Sequence, residues 1–401
     1  DRIFERFEQA DISTSRKFAD ALAHSARLQQ AIAKLVQVEG GAIPFSRFME
    51  LALYAPGLGY YSAGASKFGA SGDFITAPEL GPLFANCIAQ AITPVLRAIG
   101  GDAEVLELGG GSGAFVVDAL SALARVGVSP RRYAILEPSA DLRERQQAHA
   151  KARLPAEQFT RIEWLERLPD ADWRGVLFAN EVLDALPTTC FQWREGEVWE
   201  QCVTVEDERF VWHSRPADGL VGGAVRHVRK DLGQPEWIEG YQSECLPQLP
   251  YWLDAVCGSL AQGLALFIDY GYPRREFYLP ERSRGTLSCF YRHRTHDQPF
   301  LWPGLQDITA SVDFTALAEA GRHAGLDLAG YTSQAAFLLQ HGLEHHAAPD
   351  AQDAIASHRR ALEAKRLILP SEMGERFQVM GLSRGMDCEA LFAMGDQCHR
   401  L

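Results

Sequence analysis

Three groups of residues have types and spacings suited to chemistry. The first is Glu104-Val-Leu-Glu-Leu-Gly-Gly-Gly-Ser-Gly113, followed by the apolar run Ala-Phe-Val-Val-Asp-Ala-Leu. A strand ending in Leu108, a turn almost free of side chains and a helix bring bare backbone up to a nucleotide-like ligand. The helix adds unpaired N–H groups and a positive dipole end. Gly109, Gly111 and Ala114 fit the dinucleotide fingerprint G-x-G-x-x-A, whereas Gly109, Gly111 and Gly113 fit the G-x-G-x-G of enzymes that use S-adenosyl-L-methionine (SAM). Glu107 separates the two. A carboxylate at the strand tip repels a pyrophosphate at short range. It suits the sulfonium and ammonium of SAM.

The second group follows from the first. Arg132-Tyr-Ala-Ile-Leu-Glu-Pro138 reads as the next buried strand, with Glu137 lying 28 residues beyond Gly109. An acid there accepts both ribose hydroxyls. The alternative is a plain helix start, with Ser139 as N-cap. Near the third strand, Trp164 and Leu165 are candidates for an apolar wall against an adenine, and core packing accounts for Trp164 equally well.

The third group is Asn180, Glu181 and Asp184, directly after the apolar strand Val176-Leu-Phe-Ala179. Polar groups beyond a strand tip face the ligand crevice of an α/β sheet. Glu181 and Asp184 share a face if a helical turn begins there. An Asn helix cap with two exposed acids is the bland alternative.

These groups require a mostly parallel sheet. Residues 82–99 read as an amphipathic helix, and 263–271 as a fifth buried strand with Asp269 and Tyr270 at its tip. A last strand is expected within 372–382. Alternating Phe191-Gln-Trp-Arg and Val198–Val205 read as an antiparallel insertion. The expected organisation is an N-terminal helical and lid-like region over 1–80 and a core over 81–188 and 246–382. A β-rich substrate subdomain is inserted at 189–245, and 383–401 form a tail. Loops 54–81 and 285–314 are expected to close over the site.

The length of 401 residues allows a full α/β domain with additions, and the net charge of −13 excludes nonspecific nucleic-acid binding. The eight cysteines form no C-x-x-C pair, which argues for reduced thiols and against a zinc finger. His293 with His296, and His341 with His345, read as surface histidines rather than metal ligands. No apolar run is read as a membrane span, so no membrane partner is expected. The chain begins at Asp1. A cytoplasmic location is expected, with a mitochondrial one only if a leader was removed.

Several stretches together resemble one family. They are Tyr54-x-Pro-x-x-Gly-Tyr-Tyr61, Gly72-Asp-Phe-Ile-Thr-Ala-Pro-Glu79, Glu107-x-Gly-x-Gly-x-Gly113 and Asn180-Glu-x-x-Asp-Ala-Leu-Pro187. Asp269-Tyr-Gly271, Gly285-Thr-Leu287, Asp307-Ile-Thr-Ala310, Val312-Asp-Phe314 and Met373-Gly374 join them. The combination resembles the MidA / NDUFAF7 group of SAM-dependent methyltransferases. One departure is Gly109-Gly-Gly-Ser112, where the family often has Gly-Pro-Gly-Arg. The resemblance implies a class I methyltransferase fold, Rossmann-like, with helices on both faces of the sheet. It implies SAM as cofactor, held by Glu107, Gly109, Gly111, Gly113, Glu137, Trp164, Leu165, Asn180, Thr76 and Pro78. Asn180, Glu181 and Asp184 become the catalytic candidates, and Asp73, Glu79 and Tyr270 the substrate-facing ones. The implied acceptor is a protein arginine, with a respiratory complex I-like subunit as candidate partner; a homodimer is one candidate assembly, and the sequence does not decide the oligomeric state. Two other readings compete: a SAM-fold assembly protein without catalysis, and an NAD(P)-linked oxidoreductase.

Overall fold

The computed structural model describes residues 15–62, 76–292, 294–350 and 352–401. Asp73 and His293 lie outside them. Short helical turns aside, the N-terminal elements are α1 (Ser15–Val38), β1 (Ile43–Pro44), α2 (Phe45–Tyr54) and α3 (Pro82–Ile99). Next come β2 (Glu104–Leu108), α4 (Ala114–Arg125), β3 (Arg132–Leu136), α5 (Ala140–Arg153), β4 (Ile162–Leu165) and β5 (Trp173–Asn180). The middle of the chain holds β6 (Thr189–Arg194), β7 (Glu197–Glu206), β8 (Arg209–Pro216), α6 (Gly219–Asp231), β9 (Gln242–Cys245) and α7 (Leu249–Cys257). Then follow β10 (Leu260–Tyr272), β11 (Ser288–Tyr291), β12 (Arg294–His296), β13 (Asp307–Thr309) and β14 (Val312–Asp313). The last elements are α8 (Phe314–His323), β15 (Asp327–Ser333), α9 (Gln334–Gln340), α10 (Ala354–Ile368) and β16 (Phe377–Arg384).

The central sheet runs β15-β16-β10-β5-β2-β3-β4, with β14 beside the end of β10. All pairings from β10 to β4 are parallel, and β16 alone is antiparallel to its neighbours β10 and β15. The chain leaves β2 for β3 and β4, then returns to lay β5 on the other side of β2. That reversal opens a crevice beyond the carboxyl ends of β2 and β5, where such sheets take ligands. β2 is buried at every position because helices cover both faces. One core packs α3, α4 and α10 on the first face, and the other packs α7 and α8 on the second.

α3 is long and apolar enough to cross a membrane by length and composition, so the sequence does contain one such run. Its Phe84, Ile88, Ile92 and Val95 are turned into the larger core, where Phe84 meets Phe115 and Phe178.

The insertion forms the expected antiparallel sheet, β7-β6-β9 with β8 on β7. Two features differ from the reading of its sequence. Gly219–Asp231 is a helix, started by the Asp218 side chain on the Val221 N–H. The N-terminal region also joins the insertion: Ile43 of β1 pairs with Val203 of β7. Leu28, Ile32, Phe45 and Phe48 then share a core with Cys190, Val203 and Ile308. Residues 28–60 therefore pack with strands β6, β7 and β13 around one shared core. The tail is also packed. Phe392 is buried, and its ring occupies the space a Cβ would need at Gly330 and Gly381.

Candidate active site

A cavity of about 570 Å³ lies at the carboxyl ends of β2, β3 and β5, the size range of small-molecule sites. Glu107 through Ser112 line its floor, with Ala114 and Phe115 at the start of α4. Gly109, Gly111 and Gly113 all have positive φ (66°, 54° and 82°), which glycine adopts without strain. They do different things. Gly109 and Gly111 line the cavity, whereas Gly113 caps α4 and lies against Gln146. Gly110 is small for a related reason: a Cβ there would stand 2.8 Å from Ile135 Cγ2.

Glu107 is almost fully buried, and burial pushes its carboxyl up to about 7. The Tyr133 hydroxyl donates to it at 2.8 Å and opposes that rise, while the charge of Glu137 adds to it. Glu137 is buried as well and raised by the same cause. Its Oε1 accepts the Ser139 N–H at 3.0 Å, and its Oε2 accepts the Gln146 amide at 3.2 Å. Ser139 also caps α5 through the Leu142 N–H. The helix start and the cavity acid are thus the same short turn.

Trp164 and Leu165 do not line the cavity. Trp164 donates its indole N–H to Gln146 Oε1 at 3.0 Å and packs beside Phe159. The apolar lining on the β3 side comes from Leu136, Pro138 and Leu142 instead. Thr76, Pro78 and Glu79 do line it, and Glu79 accepts the hydroxyl of Ser112. Trp252 and Val256 of α7 complete the opposite wall. Neither was among the residues expected at the site.

Beyond β5 the chain makes a turn rather than a helix, so Glu181 and Asp184 are not neighbours on a helical face. Glu181 has a φ of 54°, a left-handed conformation uncommon for its type and often found at functional positions. It lines the cavity beside Asn180, whose amide donates to it at 3.1 Å. Burial pushes the Glu181 carboxyl up to about 8, and the charge of Asp184 adds to the shift. Asp184 is buried behind the cavity wall, near Asp269 and Tyr270. Asn180 Oδ1 has no hydrogen-bond partner among the described residues, and the Tyr270 hydroxyl stands against Asp184 and Thr309. Burial raises both Asp184 and Asp269, and neighbouring carboxylates raise Asp269 further. Tyr270 likewise stands outside the cavity lining.

Asp269 has a positioning role that its place at a strand tip did not reveal. Its Oδ2 accepts the N–H groups of Leu183 and Asp184 at 2.9 and 3.2 Å. Tyr54 donates to Ala185 O at 2.8 Å, and Asp184 O accepts the Ala310 N–H at 3.0 Å. Tyr61, stacked on Tyr54, donates to Asp307 at 3.0 Å. Segments 54–62 and 307–310 therefore both hold the turn that follows β5.

Among the described residues the cavity lining contains Glu79, Glu107, Glu137 and Glu181 and no Lys, Arg or His. That donor set fits a cationic nucleoside and leaves a pyrophosphate with no counter-charge. Residues 87–332 match the family model described as "Putative S-adenosyl-L-methionine-dependent methyltransferase". The chain belongs to that family. A crystal structure of a Burkholderia thailandensis protein bound to S-adenosyl-homocysteine is similar to this methyltransferase at 43% identity. The two superpose with a TM-score of 0.89 over 95% of this chain and 98% of that one. A native Burkholderia thailandensis structure matches at 42% identity and TM-score 0.87, with the same coverage. Among curated proteins, the Drosophila melanogaster "Protein arginine methyltransferase NDUFAF7 homolog, mitochondrial" is 27% identical over 90% of this chain and 86% of its own. The human protein arginine methyltransferase NDUFAF7 is 26% identical over 85% and 80%. The methyltransferase uses SAM as its cofactor, and the cavity residues fit it.

Among the described residues no group of three His, Cys, Asp or Glu is placed to hold a metal. His341 is not a surface residue: it is buried, with Nε2 2.9 Å from Leu391 O.

Proposed function

We propose that this methyltransferase modifies a terminal nitrogen of an arginine side chain on a protein. The observation that carries the reading is the buried Glu181 carboxyl in the cavity lining, with Asp184 buried behind it. Neither is joined to a Lys or Arg among the described residues. Buried acids without a counter-ion hold their protons until a cation arrives. A guanidinium fits, being planar, always charged and matched to carboxylates. The names of the curated relatives point the same way.

In this reading the glycine loop and Glu137 hold the nucleoside, and Glu107 faces the cationic amino-acid end. Bound SAM supplies a methyl group on a positive sulfur, open to in-line displacement. Asn180 and Glu181 hold the acceptor nitrogen on that line. Glu181, raised to about 8, is ionised by the incoming cation and takes the proton that the nitrogen releases as the new bond forms. Tyr54 and Tyr61 present stacked rings at the mouth, where a cation gains from aromatic faces. A basic partner also suits the acidic chain, and a respiratory complex I-like subunit is the first candidate.

The test is mass spectrometry of arginine methylation in cells with and without this chain, then transfer to the candidate acceptor in vitro. Methyl incorporation at lysine or carboxylate groups alone would overturn the arginine reading. SAM binding without transfer to any protein would favour the assembly-protein reading.

A further inference from the structure

We infer that Gln146 is a positioning residue that fixes the two ends of the nucleoside grip relative to each other. The inference rests on the placement of the ribose against Glu137. Gln146 sits on α5, a helix with a largely polar sequence, yet it is fully buried. Its Nε2 donates to Gly111 O at 2.9 Å and to Glu137 Oε2 at 3.2 Å. Its Oε1 accepts the Trp164 indole N–H at 3.0 Å. A buried amide satisfied at both ends has one orientation, because a flipped amide would set a donor against Trp164 and an acceptor against a carboxylate. The stem is equally constrained. A Cβ on Gly110 would lie 3.2 Å from Gln146 Nε2, and one on Gly113 would lie 3.2 Å from Gln146 Cα. Gly113 therefore makes room for Gln146, and Gly110 for Gln146 and Ile135 together.

The arrangement bears on the ligand because both acceptors of the Gln146 amide line the cavity. Each Glu137 oxygen receives one protein donor, Ser139 N–H on one and Gln146 on the other. Each keeps acceptor capacity for one further donor, which is the need of a vicinal diol. A neutral donor orients the carboxylate without adding a positive charge beside a cationic cofactor.

Calorimetry of S-adenosyl-homocysteine and its 2′-deoxy analogue tests this on the wild type, Q146L, Q146E and E137Q. Hydrogen bonds to charged groups predict that Q146L weakens S-adenosyl-homocysteine by about 10–100-fold. The 2′-deoxy analogue should lose less than about threefold, since half of the diol contact is already missing. KM for SAM should rise while kcat at saturation stays within about threefold. Q146E keeps the volume and the Trp164 contact should Q146L fold poorly. It should bind weakly at neutral pH and recover as the pH falls, when a protonated carboxyl can again donate to Glu137. The wild type should show no such gain. Equal losses for both ligands, or unchanged affinity, would reduce Gln146 to a packing residue and overturn the inference. If E137Q binds S-adenosyl-homocysteine like the wild type, the ribose placement itself fails, independently of Gln146.

Discussion

The Tyr133 hydroxyl donates to Glu107 at 2.8 Å, from beneath the cavity floor. Burial alone would hold this acid protonated, and the phenol offsets part of that effect to leave it at about 7. A cationic ligand selects the ionised form, so its binding releases a proton. SAM affinity should rise with pH from about 5 to 8 and level off above that, by up to tenfold per unit below the pKa. In the ligand-free protein the sign is opposite. A carboxyl raised from 4.5 to about 7 stabilises the fold at low pH, and that contribution is lost as pH rises through this interval. Tyr133→Phe should shift the binding profile to higher pH, and titration calorimetry in buffers of different ionisation enthalpy would show it.

Glu181 has a backbone angle that favours glycine and a buried carboxyl raised to about 8. Glu181→Gly should therefore leave stability unchanged or raise it by up to about 1 kcal/mol. Turnover should fall by about 10²-fold or more if the carboxyl takes the acceptor proton. In the wild type kcat/KM should climb with pH toward about 8, and Glu181→Gln should flatten that limb. A destabilised but active Glu181→Gly protein would contradict both parts.

The glycine loop separates two kinds of damage. Gly110→Ala places a methyl 2.8 Å from Ile135 and 3.2 Å from the Gln146 amide, and should lower stability by about 1–3 kcal/mol with only a partial loss of SAM affinity. Gly111→Val puts a branched residue at positive φ on the cavity floor and should abolish SAM binding. Chemical unfolding beside equilibrium binding would distinguish them.

Arg274 is 2% exposed and bonds Asp231, Asp313 and Glu319, tying the end of β10 to α6 and α8. Arg274→Met leaves Asp313 buried without its cation, a loss of about 3–5 kcal/mol. Lower pH should partly restore the variant as Asp313 takes up a proton. SAM affinity of the folded fraction should not change, because Arg274 does not line the SAM cavity.

The central strands were legible in the sequence because they are continuous apolar runs with glycine or acid at their tips, whereas β14 is too short and β15 too polar to show such a run. Glu107 and Asn180 lie at the ends of buried strands and Glu137 and Glu181 directly after them, which is why these cavity-lining residues stood out in the sequence. Other parts were hidden by distance. Gln146 and Trp252 lie on helices whose patterns show only a face, and only tertiary packing turns them toward the loop or the cavity. Trp164 read as a ligand wall by its position near the third strand, but Gln146 takes its indole N–H. α6 escaped notice because Gly219, Gly222 and Gly223 lower helix propensity, which burial of Val221, Val225 and Val228 overrides. Asp269 was visible only as an acid at a strand tip, and its bonds to the backbone N–H groups of Leu183 and Asp184 needed the tertiary structure.

The ring of Phe392 fills a socket whose walls are two side-chain-free positions on adjacent strands, Gly330 and Gly381. Shortening the polypeptide before this aromatic would leave an open, greasy slot on the sheet's outer edge. A synthetic peptide spanning residues 385–401 should then dock back into that slot, making this end a natural place to split the protein into two halves that reassemble.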